Sequence, residues 1–142
     1  MAIDLALVSE SDPEQRDALL KVLNALGYRV LPVPNPSQLE QQLLGSHASS
    51  SASLLLVLDV MLAKSCAHAI QQCARQRQQV RLPLAAVVLV YERGSLTSIA
   101  RPTLAGCEIL EIAEKPLQLE EFRAVAMQSR LASRRFDLQG FR

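Results

Sequence analysis

Leu54-Leu55-Leu56-Val57-Leu58-Asp59-Val60-Met61-Leu62 is an apolar run of strand length that carries a single carboxylate. A run of Leu and Val without polar alternation suits a strand covered on both faces, as at the centre of a parallel sheet wrapped by helices. Asp59 stands near its C-terminal end. In open α/β sheets ligands bind at that end of the strands, where a carboxylate meets a cation or a hydrogen-bond donor. The alternative is structural: a strand-end Asp caps the turn that follows it. The other strand ends have to decide between the two.

Working outward, the same alternation recurs. Ile3 to Val8 is a short apolar run, followed by the polar Ser9-Glu10-Ser11-Asp12-Pro13. Asp12 and Pro13 read as N-cap and first helical position, because proline has no N–H to lose there and an Asp oxygen accepts from a free amide. Leu19, Val22, Leu23 and Leu26 then recur at helical spacing, and Gly27 closes the helix. Tyr28 to Val33 is a second strand, pushed toward a sheet edge by Pro32. Asn35-Pro36 repeats the cap, with Leu39, Leu43 and Leu44 on the second helix. Gly45 to Ser53 is small and low in complexity, which predicts a mobile loop with a solvated His47. Ala67 to about Gln79 has Ile70, Cys73 and Ala74 on one side and Gln and Arg on the other, the pattern of a third surface helix. Leu84 to Val90 is another buried strand. Tyr91-Glu-Arg-Gly94 leaves it as a loop, Ser95 can cap a short helix weakened by Pro102, and Gly106 ends that segment. Ile109 to Ala113 is a fifth strand, followed by Glu114-Lys115-Pro116 and a helix from about Gln118 with Leu119, Phe122, Val125 and Ala126 facing inward. Five alternations of strand and helix predict an α/β protein with a parallel sheet and helices on both faces.

Composition sets the bounds. At 142 residues, with 49% hydrophobic and 20% charged residues, the chain is expected to be one compact domain. A net charge of +1 gives no broad attraction to nucleic acid or to an anionic membrane. The N-terminus has no basic flank before its apolar part and is too short to span a bilayer, so a cytoplasmic protein is expected. Cys66, Cys73 and Cys107 predict reduced, partly buried thiols. Cys66 and His68 with Cys73 leave a tetrahedral metal shell unfinished.

This topology places Glu10, Ser11 and Asp12 after the first strand, Asp59 at the end of the third, Tyr91 and Glu92 after the fourth and Lys115 after the fifth. Neighbouring carboxylates repel unless a cation sits among them, and hard oxygen ligands suit Mg²⁺. The missing Gly-rich loop after strand one argues against a flavin or nucleotide enzyme at this edge.

Asp12-Pro13-Glu14-Gln15-Arg16, Ala25-Leu26-Gly27-Tyr28, Leu58-Asp59-Val60-Met61-Leu62, Ala105-Gly106-Cys107 and Lys115-Pro116, in that order and spacing, resemble the receiver (CheY-like) domain of bacterial two-component response regulators. The resemblance covers roughly nine-tenths of the chain. It implies a flavodoxin-like (βα)5 doubly wound sheet of strand order 2-1-3-4-5 over residues 1–130, with 131–142 an extension or the start of a linker to an output domain. It implies a non-enzymatic phosphoprotein of a phosphorelay, with Asp59 accepting a phosphoryl group from a histidine kinase or phosphotransfer protein. Lys115 pairs with the phosphate before a peptide bond that is usually cis, and Glu10, Asp59 and the backbone carbonyl of Met61 hold Mg²⁺. A surface formed by the fourth helix, fifth strand and fifth helix then signals to an output domain or effector.

Several residues depart from the family. One member of its acidic pair after strand one is a serine here, Ser9 or Ser11. Val90 or Tyr91 takes the place of the hydroxyl residue ending strand four, and Ile112 that of the strand-five aromatic, so these three are the expected switch positions. Ala63 to Ala67 replaces a turn that usually contains Pro and Gly. The departures make the domain degenerate, expect weakened metal binding, and raise an alternative: a pseudo-receiver that binds its partner without phosphate. Phe136 and Phe141 beside several arginines mark a solvated tail, with a homodimer or docking surface as the further reading. No segment is long enough for a DNA-binding helix-turn-helix.

Overall fold

The protein's structure, a computed structural model, describes residues 3–92 and 104–140, with side chains as far as Ser129. Five parallel strands form one sheet in the order β2-β1-β3-β4-β5. They are β1 (Asp4–Val8), β2 (Arg29–Pro32), β3 (Ser53–Asp59), β4 (Ala85–Tyr91) and β5 (Cys107–Glu114). This is the expected flavodoxin-like order, and it puts the run from Leu54 at the centre of the sheet.

The strands alternate between two cores. Leu54, Leu56 and Leu58 face one side with Leu39, Leu43, Ile70 and Cys73, from α2 (Pro36–Leu43) and α5 (Ala67–Gln79). Leu55 and Val57 face the other with Leu19 and Leu23 of α1 (Pro13–Ala25) and Phe122 and Ala126 of α6 (Leu119–Gly140). Both faces of β3 are covered, which is why it carries no polar alternation.

The caps explain the helix starts. The Asp12 carboxylate accepts from the Glu14 amide at 3.3 Å and the Asn35 side chain from the Gln38 amide at 2.9 Å, each just ahead of a proline. Gly27 follows α1 with φ 95°, a conformation that a side chain would strain.

Three expectations change. The run Leu54 to Leu62 is not all strand: β3 stops at Asp59, and Val60–Ser65 is a short helix, α4. The Asp59 side chain accepts from the Met61 amide at 2.8 Å and starts that helix, while Val60, Leu62 and Ala63 bury its inner side. Apolar residues over so short a span are compatible with either structure, and the cap decides. The expected loop at Gly45 to Ser53 contains a helix, α3 (Ser46–Ser50), whose Ala48 is fully buried, although His47 is exposed as expected. The backbone of the expected C-terminal tail is helical: α6 runs through the boundary between 130 and 131 to Gly140. The helix expected from Ser95, with Gly94 and Pro102, lies outside the described residues.

The reason α3 folds is Arg77 of α5. Its side chain is 1% exposed, on the face that the Gln- and Arg-rich pattern assigns to solvent. Nη1 donates to the Ala48 carbonyl at 2.9 Å, the Ser51 carbonyl at 2.8 Å and the Ser51 hydroxyl at 2.9 Å, and Nε donates to the Pro83 carbonyl at 3.2 Å. These bonds satisfy carbonyls at the end of α3 that would otherwise be buried without partners. The end of α5 is tied to the same place. The Leu82 amide donates to the Arg77 carbonyl at 2.9 Å and the Arg81 amide to the Gln78 carbonyl at 3.0 Å, with Arg81 at φ 58° where glycine is usual.

Candidate functional site at the C-terminal strand edge

Three connections bring the charged residues together. The Ser9 amide donates to the Val57 carbonyl at 2.8 Å, holding the end of β1 beside β3 and placing Glu10 near Asp59. Asp59 ends β3 and caps α4. The Lys115 amide donates to the Tyr91 carbonyl at 2.9 Å, which keeps the end of β5 against β4 and turns the lysine inward.

Lys115 Nζ lies 3.3 Å from Glu92 Oε1, 3.7 Å from Glu10 Oε1 and 4.0 Å from Asp59 Oδ2. Its side chain is 16% exposed, that of Glu10 4% and that of Asp59 29%. One ammonium therefore faces three carboxylates, of which Glu10 is the most enclosed. Glu10 Oε1 also accepts from the Asp12 amide at 3.0 Å, which orients the carboxylate before any ligand arrives. The two Asp59 oxygens have different tasks: Oδ1 is committed to the helix cap, whereas Oδ2 faces Lys115. An open cleft of about 480 Å³ joins the four groups and is also lined by Arg16 of α1. Sequence reasoning missed Arg16 as a site residue. Its signal was its place one turn beyond the Asp12 cap, where its amide bonds the Asp12 carbonyl at 2.9 Å.

Asp12 acts as the cap of α1, and Ser9 and Ser11 both line the cleft. The expected switch residues do not come together. Val90 is the residue directly across from Asp59 in the sheet register, so it holds the place where the family has a hydroxyl. It is 2% exposed among the side chains packed on α1 and α6, and has no polar atom to offer. Tyr91 and Ile112 are half-buried against the opposite core. The Lys115–Pro116 peptide bond is cis.

The site as folded does not fit Mg²⁺. That ion demands near-octahedral oxygen coordination. Met61 is inside α4, where a helical carbonyl points along the axis away from the capping residue, and its oxygen accepts from the Ser65 hydroxyl at 3.0 Å. The position among Glu10, Asp59 and Glu92 is taken by the Lys115 ammonium. Among the described residues no group of three or more His, Cys, Asp or Glu side chains is arranged to hold a metal ion. Cys66 is buried with its thiol against the Pro36 carbonyl at 3.6 Å, while His68 is exposed.

No protein-family model matches the sequence, and no curated protein sequence matches it. Solved structures do match the fold. A response regulator receiver domain protein from Clostridium thermocellum is similar with a TM-score of 0.60 and 15% identity, over 96% of this chain and 98% of that one. The N-terminal domain of a response regulator/sensory box/GGDEF three-domain protein from Carboxydothermus hydrogenoformans gives 0.58 and 16%, over 96% and 98%. NtrX from Brucella abortus gives 0.61 and 17%, over 100% of this chain but 30% of that protein. The class thus defined is a flavodoxin-like α/β fold shared with response regulator receiver domains, and at these identities the likeness is one of fold. Among the described residues no helix is long and apolar enough to cross a membrane.

Proposed function

We propose that this chain is a receiver-type signalling module that accepts a phosphoryl group on Asp59 and passes a change in charge to a partner protein. The observation that carries this reading is the division of labour at Asp59: Oδ1 is held by the α4 cap while Oδ2 is presented to the cleft 4.0 Å from the Lys115 ammonium. In the transfer, Asp59 Oδ2 attacks phosphorus, an O–P bond forms, and the donor's P–N or P–O bond breaks with its electron pair leaving on the donor. Lys115 offsets the negative charge added to the carboxylate. Its contacts with Glu10 and Glu92 must loosen as it turns to the new oxygens, and Glu92, at the end of β4, carries that loosening to the surface. The donor is a histidine kinase or phosphotransfer protein, and the recipient an output domain or effector. The module is a substrate of phosphoryl transfer rather than an enzyme.

Val90 and the helical Met61 favour a second reading, in which the same surface binds its partner without phosphate. No hydroxyl follows a phosphoryl group at Val90, and the metal ligands of the family are not assembled.

Incubation with acetyl phosphate, with and without Mg²⁺, followed by intact-mass measurement separates the two. The proposal expects one phosphoryl increment that Asp59→Asn abolishes and Lys115→Ala reduces. No increment under either condition would leave the phosphate-independent module.

A further inference from the structure

At the opposite edge of the sheet, where the strands begin, Ile3, Leu5 and Leu31 floor a cleft of about 220 Å³. Its rim is built from Arg29 of β2 together with His47, Ser50 and Ser51 of the α3 region. None of the residues used by the Asp59 site takes part.

The floor is apolar because of strand register. Leu5 pairs with Arg29 and Leu7 with Leu31, so these side chains project on the side of the sheet that α3 covers. Asp4 falls on the other face by alternation and accepts from the Ser53 hydroxyl at 2.8 Å. No carboxylate lines the cleft.

Two cations act on it. Arg29 is exposed on the edge strand and has no ion pair among the described residues. Behind the cleft, Ser51 is 4% exposed and its hydroxyl accepts from Arg77. The bonds of that buried guanidinium go to carbonyls and a hydroxyl, all neutral, and its Nη2 has no partner among the described residues. A buried cation balanced only by dipoles leaves positive potential in the low-dielectric wall beside it.

An apolar floor, an uncompensated positive wall and a planar guanidinium at the mouth are complementary to a hydrocarbon body with one carboxylate. Size narrows the body: a cavity of about 150 Å³ accommodates benzene, so about 220 Å³ has room for a ring and its head group. We propose that the cleft between β1, β2 and α3 is a binding site for a small aromatic monocarboxylate, with Ile3, Leu5 and Leu31 against the ring and Arg29 on the carboxylate.

The test is a chemical-shift titration of the full chain with sodium benzoate, beside benzamide as the neutral isostere. Saturable shifts at the Ile3, Leu31 and His47 amides are expected, with the Lys115 and Asp59 amides unmoved. Arg29→Gln, at an exposed position, should weaken benzoate at least about tenfold, down to the level of benzamide. Ser50→Trp, which fills the cleft from the exposed side of α3, should abolish the shifts while the spectrum stays dispersed. Equal binding of benzamide and benzoate would overturn the proposal, as would shifts that never saturate or that cluster at Lys115.

Discussion

Lys115 and Arg77 are both drawn inside the molecule, at opposite ends of the sheet, and the molecule treats them differently. Lys115, 16% exposed, is surrounded by three carboxylates at 3.3–4.0 Å. Arg77, 1% exposed, has no carboxylate and is held by carbonyls and one hydroxyl at 2.8–3.2 Å. An ammonium on a flexible stem is a point charge that can exchange one anion for another, whereas a guanidinium fork has fixed donor directions that suit carbonyls already placed by backbone. The difference separates chemistry from architecture. The Lys115 edge can be rearranged by a new anion without unfolding, and the Arg77 corner cannot lose a bond without exposing or orphaning backbone.

The largest expected effect follows from that contrast. Arg77→Ala leaves the carbonyls of Ala48, Ser51 and Pro83 without a donor and opens a void, and should destabilise the protein by about 3–5 kcal/mol. Lys115→Ala exposes the same kind of charge to partly solvated carboxylates and should cost about 1 kcal/mol. Urea unfolding of both variants measures the difference, and equal losses would break the distinction.

The same contrast governs what could be read from sequence. The Lys115 edge was legible because strand ends are fixed by alternation: once five strand–helix units are recognised, Glu10, Asp59, Glu92 and Lys115 fall at one edge. Arg77 was not, because in a helix rich in Gln and Arg nothing marks which cation turns inward. Its partners are backbone carbonyls, which carry no residue signature, and they lie in a serine-rich segment that reads as loop. The end of β3 was half legible. Val60, Met61 and Leu62 continue the apolar run of the strand, and only the Asp59 cap shows that the backbone has already turned into α4.

A second expected effect, on the order of 2 kcal/mol, lies beside Arg77. Burial, and then the neighbouring Cys73, push the Cys107 thiol up to about 11 from the usual 9.0, with Arg77 opposing. The unfolded chain releases this proton at lower pH than the folded one, so the stabilisation is complete below about pH 9 and is lost as pH rises through about 11. Urea midpoints measured across that range should fall in the wild type and fall less in Cys107→Ala. An identical slope in the two proteins would mean that the corner is wetter than its packing indicates.

Asp59 gives the smallest and sharpest effect, because one carboxylate serves both sides of the comparison. Through Oδ1 it is architectural, capping α4, and through Oδ2 it is chemical, facing Lys115. Asparagine caps a helix about as well as aspartate, whereas alanine does not, so Asp59→Ala should cost about 1 kcal/mol and Asp59→Asn only a few tenths. Both remove the nucleophilic carboxylate and should lose phosphoryl incorporation equally. Stability and incorporation measured on the pair then separate the two roles of one side chain. If asparagine proves as destabilising as alanine, the attraction to Lys115 rather than the cap holds the start of α4. A phosphoryl group placed on Asp59 would then loosen that helix as it drew the lysine away.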